Sequence, residues 1–176
     1  MLSKAYFGGG CFWCTQVVFQ KLSGVKKVVA GYSGGDKKNP TYEDVISEVT
    51  HHIETVEVIY DKYLISYDIL LAVFFSTHDP TTMDRQGADI GEMYRSVIFY
   101  TNESEKDDAL IFIKKLNSQK IFNNAIVTKV LPFVKFYSAE DYHQNYYEKN
   151  RDNFYCRIVI NPKLEKLEKL YKEYLK

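Results

Sequence analysis

Apolar positions recur along this chain in two periods, and the switches between them mark its elements. Near the N-terminus the run Ala5-Tyr6-Phe7 reads as a strand. Cys14, Val17, Val18, Lys21 and Leu22 then fall at helical spacing, which predicts a helix over 11–22. Val25 to Tyr32 reads as a second strand, and 34–41 as a polar loop rich in breakers. Tyr42 to Val49 fits a short helix or a strand equally well. Ile53 to Tyr60 alternates with near period two and is rich in β-branched residues, so a strand is predicted there. Ser66 stands where it can cap a helix through about Ser76, with Ile69, Leu70, Val73 and Phe74 on its buried face.

Periodicity disappears from Thr77 to Glu92, a stretch holding His78, Asp79, Pro80, Gly87, Asp89 and Gly91. A structureless loop of that length inside a compact domain is usually functional. Tyr94 to Thr101 returns to strand. Ser104 and Asp107 have capping-box spacing ahead of a helix to about Lys120. Ala125 to Phe133 reads as a strand broken at Pro132. Ser138 and Asp141 repeat the capping pattern before a short helix, Tyr142 to Tyr147. Asn161-Pro162 reads as an N-cap with proline at the first helical position, opening a last helix, Leu164 to Leu175, docked by one leucine face. No repeat, linker or composition break divides the chain, so 1–176 reads as one domain. The order β-α-β-β-α-β, then α-β and C-terminal helices, predicts an α+β fold. It would be a two-layer sandwich with a ferredoxin-like core, a mixed sheet and helices on one face.

Composition adds exclusions. The chain is 45% hydrophobic, enough for a core without disulfide staples, and its 23 basic and 23 acidic residues cancel. General affinity for nucleic acid or an anionic membrane needs a basic excess that is missing here. Three cysteines, an odd number in a chain of this length, do not make a secreted disulfide framework. The first residues show no apolar leader before the glycines. The most apolar run, Leu64 to Phe75, contains Ser66, Tyr67 and Asp68 and is too short to span a bilayer. A reducing, cytoplasmic setting is expected, in which a cysteine pair is more often catalytic or metal-binding than structural.

The chemistry gathers in Gly8-Gly9-Gly10-Cys11-Phe12-Trp13-Cys14. The glycines permit a tight turn from strand to helix and should leave the Cys11 sulfur uncovered. A helix N-terminus carries roughly half a positive charge, which favours the reactive thiolate. A packing cysteine would need neither an open turn nor a Phe-Trp wall behind it. Three chemistries compete on the residues alone. Cys11-Phe12-Trp13-Cys14 is a literal C-x-x-C, the motif of thiol-disulfide oxidoreductases. Cys11 and Cys14 could also form half of a zinc site with His51, His52, His78 or His143, although the other half is missing and adjacent strand residues face opposite ways. Cys11 with the distant His143 could form a cysteine hydrolase, although nothing marks an oxyanion site.

A fourth reading draws on the whole chain. Gly10-Cys11-Phe12-Trp13, Gly31-Tyr32-Ser33-Gly34-Gly35, Asn39-Pro40-Thr41-Tyr42, His52-Ile53-Glu54, Gln86-Gly87-Ala88-Asp89-Ile90-Gly91, Tyr94-Arg95-Ser96 and Glu140-Asp141-Tyr142-His143-Gln144 follow one another in order and at fixed spacing. In this the chain resembles the peptide methionine sulfoxide reductases of the A type over nearly its whole length. The resemblance implies reduction of free and protein-bound methionine S-sulfoxide. Cys11 would be the nucleophile that becomes a sulfenic acid, and Phe12 and Trp13 the pocket for the substrate's S-methyl group. Glu54 would protonate or hydrogen-bond the sulfoxide oxygen, with Tyr42 and Tyr94 directing hydroxyls at it. Asp89 would order the site, and His143 would support the substrate pocket. The sulfenic acid would condense with a second thiol. Cys156, in a region where the family keeps a recycling cysteine, is the favoured partner, and Cys14 competes. Thioredoxin would reduce the resulting disulfide, with no bound cofactor or metal and with the chain acting as a monomer. Two departures from the family pattern stand out, Cys14 in place of a small residue and Gln16 in place of a glutamate. Losing that negative charge could alter the pKa of Cys11.

Overall fold

The computed structural model describes residues 1–176. Its centre is a split β-α-β unit used twice. Strand β1 (Leu2–Gly8) leads into helix α1 (Phe12–Gln20) and strand β2 (Val25–Ser33). Helix α2 (Tyr42–Ile46) precedes β3 (Ile53–Asp61), and α3 (Tyr67–Ser76) follows it. A two-residue hairpin, β4 (Arg85–Gln86) with β5 (Asp89–Ile90), lies inside the long loop. Then come β6 (Val97–Tyr100), α4 (Glu103–Ser118), β7 (Lys129–Pro132), β8 (Phe136–Ser138), α5 (Tyr146–Lys149) and α6 (Asn161–Tyr171).

The sheet order is β7-β6-β1-β3-β2-β8. The four central strands, β6-β1-β3-β2, pair antiparallel in ferredoxin-like order, and β7 joins β6 in parallel. The sheet is therefore mixed, in an α+β fold. One face carries the main core: Phe7, Val56 and Val58 meet Phe19, Leu70, Phe74 and Leu167 from the helices. The other face carries a small cluster of Tyr6, Ile53, Val97 and Phe99, closed by Phe133 stacked 4.0 Å from Tyr6 and by Phe136. No helix is long and apolar enough to cross a membrane.

Several boundaries differ from the sequence pattern, each for a physical reason. The ambiguous stretch after Thr41 is helical, because Thr41 accepts from the Asp44 amide and the Asp44 carboxylate accepts from the Thr41 amide. Asn102, not Ser104, caps α4. Glu105 returns the favour by accepting from Thr101, so the reciprocal pair sits two residues earlier than expected. Tyr94 belongs to a 3₁₀ turn, Glu92–Tyr94, and strand pairing begins only at Val97. Of the run 125–133 only Lys129–Pro132 pairs. Ser138 ends a strand rather than capping a helix, and residues 141–147 divide into a 3₁₀ turn and the start of α5. Asn161 is no cap, because the chain is already helical before it. Cys156–Ile160 forms a wide helical turn running straight into α6, and the Asn161 side chain accepts from the Tyr147 hydroxyl at 2.8 Å.

The C-terminus is fastened to the end of α1. Ser23 N donates to Tyr174 O at 2.6 Å, Lys176 N donates to Lys21 O at 3.0 Å, and Leu22 bridges Leu175. The stretch before α5 is fastened to the same helix, through Gln16 accepting from Asn145 N at 2.9 Å and Gln20 donating to Asn145 at 2.7 Å.

Candidate active site

The turn between β1 and α1 forms as the glycines require. Gly10 has φ +89°, and a Cβ there would lie 2.5 Å from Cγ of Gln86. Only glycine allows both the backbone conformation and the seating of Gln86 against the turn. Cys11 is the N-cap of α1, and its carbonyl accepts from the Cys14 amide at 3.1 Å. The free amides of the first turn point at the chemistry: Phe12 N–H donates to Glu54 Oε2 at 2.8 Å, and Trp13 N–H faces the Cys11 sulfur.

The expectation of an open, acidic thiol is not met. Cys11 is only 8% exposed, and burial pushes its pKa well up, helped by contact with the Cys14 thiol and the nearby Glu54 carboxyl. The Trp13 amide opposes that rise without overcoming it. A side chain from the far end of the chain reaches this turn. Tyr155 sets its ring edge-on to Trp13, with centroids 5.9 Å apart at 84°. Its hydroxyl donates to Asp89 Oδ2 at 2.6 Å and lies 3.7 Å from Cys14 Sγ.

Glu54, on β3 opposite Tyr32, is 2% exposed. Burial raises its carboxyl to about 8, against the lowering by the Phe12 amide. The carboxyl is thus mostly protonated at neutral pH and able to donate a proton. Tyr42 and Tyr94 are half-buried and close enough to feel both Glu54 and Cys11. Burial pushes Tyr42 up to about 12 and Tyr94 higher, so both stay as neutral phenols able to donate. The 3₁₀ turn that holds Tyr94 is tied down by Arg95, which pairs with both Asp84 oxygens at 2.6 and 3.0 Å. Cys11, Glu54, Tyr42, Tyr94 and Asp89 therefore share one site.

The 140–144 block is its brace. Glu140 accepts from the Tyr32 hydroxyl, the Tyr42 amide and the Tyr142 hydroxyl. His143 is buried among Phe12, Tyr42 and Trp13, with ring centroids at 5.0, 4.7 and 5.8 Å. Its Nδ1 accepts from the Trp13 indole N–H at 3.1 Å, which assigns the ring proton to Nε2, a buried donor with no protein partner. A face of Trp13 stacks on Tyr146, with ring centroids 3.6 Å apart.

Gln16 is accounted for by the same brace. It is buried, donates to Val28 O at 3.0 Å and Gln144 Oε1 at 3.1 Å, and accepts from Asn145 N. A neutral amide can do all three; a carboxylate could not donate to two carbonyl oxygens.

Two residues were missed in the sequence. Tyr155 directly precedes Cys156, yet no local pattern marks its reach to Asp89. Lys163, on α6, is half-buried, donates to Thr77 O at 2.6 Å and borders a small cavity against Cys14. Cys156 is fully buried in its helical turn, near Cys14. No three His, Cys, Asp or Glu side chains converge as a metal cage. His52 is used by Gly35 N and Lys37 O, and His78 by Phe74 O and Ser96.

The sequence of residues 3–175 matches the family model described as peptide methionine sulfoxide reductase. The chain is 47% identical to the peptide methionine sulfoxide reductase MsrA of Chromobacterium violaceum over 99% of both chains. It is 49% identical to that of Acinetobacter baumannii, again over 99% of both. Among solved structures it is similar to reduced Mxr1 from Saccharomyces cerevisiae, with TM-score 0.80 and 28% identity over 88% of this chain and 89% of that one. It is also similar to methionine sulfoxide reductase A of Corynebacterium diphtheriae, with TM-score 0.77 and 32% identity over 87% and 77%. Mxr1 in complex with Trx2 shares the fold, with TM-score 0.57 and 23% identity over 82% and 84%. A buried protonated carboxyl facing a cysteine at a glycine turn is what reduction of a sulfoxide by a thiol asks for, and this chain belongs to the peptide methionine sulfoxide reductase family, as an oxidoreductase that returns methionine sulfoxide to methionine.

Proposed function

We propose that residues 1–176 act as a single catalytic domain that reduces free and protein-bound methionine S-sulfoxide, with Cys11 as nucleophile and Glu54 as acid. The observation carrying this is the Glu54 carboxyl, buried, held by the first amide of the Cys11 helix and raised to about 8. Phe12 and Trp13 receive the S-methyl group, and the Tyr42 and Tyr94 phenols hold the oxygen. Glu54 gives its proton to that oxygen, which makes the substrate sulfur electrophilic. The carboxylate left behind is the base that the high-pKa Cys11 thiol needs. Cys11 sulfur attacks the substrate sulfur, the S–O bond there breaks, and oxygen passes to Cys11. The products are methionine and a Cys11 sulfenic acid, with one proton cycled through Glu54. A high thiol pKa suits this order, because Cys11 ionises only once Glu54 has discharged its proton.

The sulfenic acid then condenses with a second thiol of the same chain, Cys14 or Cys156. Thioredoxin reduces the disulfide, a reading supported by the complex that the yeast relative forms with Trx2. The protein works as a cytoplasmic monomer with no bound cofactor. Separate incubation with the two sulfoxide epimers, reading methionine released per chain before any reductant is added, tests this. One methionine from the S epimer only is expected. None from Cys11→Ser is also expected, and appreciable residual release would exclude that nucleophile. Insulin reduction by the Cys11/Cys14 pair faster than methionine sulfoxide turnover would favour a dithiol oxidoreductase instead.

A further inference from the structure

Tyr155 takes no part in the oxygen transfer described above, yet its hydroxyl connects the second cysteine of the C-x-x-C to a carboxylate. We propose that Tyr155 and Asp89 form a proton relay that activates Cys14 as the thiol closing on oxidised Cys11. The inference rests on the reading of Cys11 as the residue that is oxidised.

A phenol has one proton. At 2.6 Å from Asp89 Oδ2 and 3.7 Å from Cys14 Sγ, the Tyr155 oxygen gives that proton to the carboxylate and turns its lone pairs toward the thiol. The chain of donors runs Cys14 S–H to Tyr155 O–H to Asp89. Moving both protons one step leaves Cys14 as a thiolate, now facing a phenolic O–H, and leaves Asp89 protonated. The cation of Lys163, across the small cavity from Cys14, favours that thiolate. Tyr155 is held for the task by its edge contact with Trp13 and by its amide donating to Asn153 Oδ1 at 2.9 Å.

Cys14 is also the better placed thiol. It lies one helical turn from Cys11, close enough for each thiol to shift the other's pKa. Cys156 is sealed inside its helical turn, which would have to unwind first. In the step itself, the Cys14 thiolate attacks the sulfenic sulfur, the S–S bond forms and the S–O bond breaks. Hydroxide leaves and takes back one proton, from Asp89 or Glu54, as water. A sulfenic acid and a thiol become a disulfide and water, with no external oxidant or reductant.

The experiment exposes reduced protein to one equivalent of methionine sulfoxide and traps sulfenic acid with dimedone at increasing times, locating adducts and disulfides by peptide mass spectrometry. Tyr155→Phe keeps the ring and removes only the oxygen. Asp89→Asn keeps an acceptor for the phenol and removes the base. In either variant the Cys11 sulfenic acid should live about tenfold longer or more at neutral pH. The gap to wild type should close as the pH rises, because Cys14 then ionises unaided. Groups facing Cys14 that titrate or carry charge are Cys11, Glu54, Asp89, His78, Tyr155, Cys156 and Lys163. All but the altered residue are common to wild type and variant. The first disulfide should join Cys11 to Cys14. Unchanged lifetimes in both variants, a delay equal at every pH, or a first disulfide between Cys11 and Cys156 would overturn the relay while leaving the reductase reading intact. Absence of released methionine, or release without any modification of Cys11, would overturn that reading and the relay with it.

Discussion

Glu54→Gln should make the protein more stable and less active, by amounts that depend on pH in opposite directions. The carboxyl sits at about 8 in the folded protein, against an ordinary value of 4.5. The difference, 8 − 4.5, is about 3.5 units, and at about 1.36 kcal/mol per unit the folded state resists ionisation of Glu54 by ~5 kcal/mol. The folded state binds this proton more tightly than the unfolded chain does. Stability therefore falls as pH rises from about 4.5 to about 8, and the full cost is present above that window. Glutamine has no proton to lose and keeps an oxygen for the Phe12 amide. The stability of the variant minus that of wild type should be smallest near pH 4.5 and grow by several kcal/mol toward pH 9. Titrations common to both proteins cancel in that difference. Denaturant unfolding under reducing conditions, followed by the fluorescence of Trp13, the single tryptophan, measures it at each pH. Single-turnover methionine release should fall by about 10²-fold or more in the variant, and in wild type it should decline above pH about 8. Two parallel stability lines between pH 5 and 9 would refute the reasoning, because they would mean that Glu54 titrates like an exposed carboxylate.

Other perturbations read other parts of the site. Gln16→Ala strands the buried Val28 carbonyl and removes the acceptor of the Asn145 amide at the surface, and should lower unfolding free energy by about 1–3 kcal/mol, measured by denaturant titration. Gly10→Ala forces a Cβ onto Gln86 at positive φ and should cost more than about 1 kcal/mol, with activity falling as the turn shifts. Trp13→Phe deletes the bond to His143 Nδ1 and should raise KM about fivefold, with a smaller change in kcat. An unchanged KM would remove His143 from pocket positioning.

What could be read in the sequence was local. The glycine turn, the alternation of β3 and the helical spacing after Cys11 each depend on neighbours within a few residues, and each is found in the structure. The cap of α4 fell two residues early because Asn102 has the same spacing to an acidic residue as Ser104, and Thr101, by engaging Glu105, favours Asn102. Exposure of Cys11 was not readable at all. It depends on tertiary packing around the turn, where even Tyr155, against Trp13 and Cys14, arrives from the far end of the chain, and its contact with Asp89 spans 66 residues and leaves no periodic trace. The same holds for Gln16. A glutamine at a helix start says nothing by itself, and its meaning lies in Gln144 and Asn145 across the sandwich.

The fastening of both Asn145 and the final residues to α1 has a consequence for how the site must breathe. The stretch bearing Tyr155 and Cys156 is a bridge with two footings, so it can arch away and settle back without searching for its berth. Closing a loop of that length is a modest entropic demand, far smaller than recapturing a dangling end. A single cut between Asn150 and Asn153 would convert the bridge into two loose strands, and Tyr155 would keep its place against Trp13 and Asp89 from one side only.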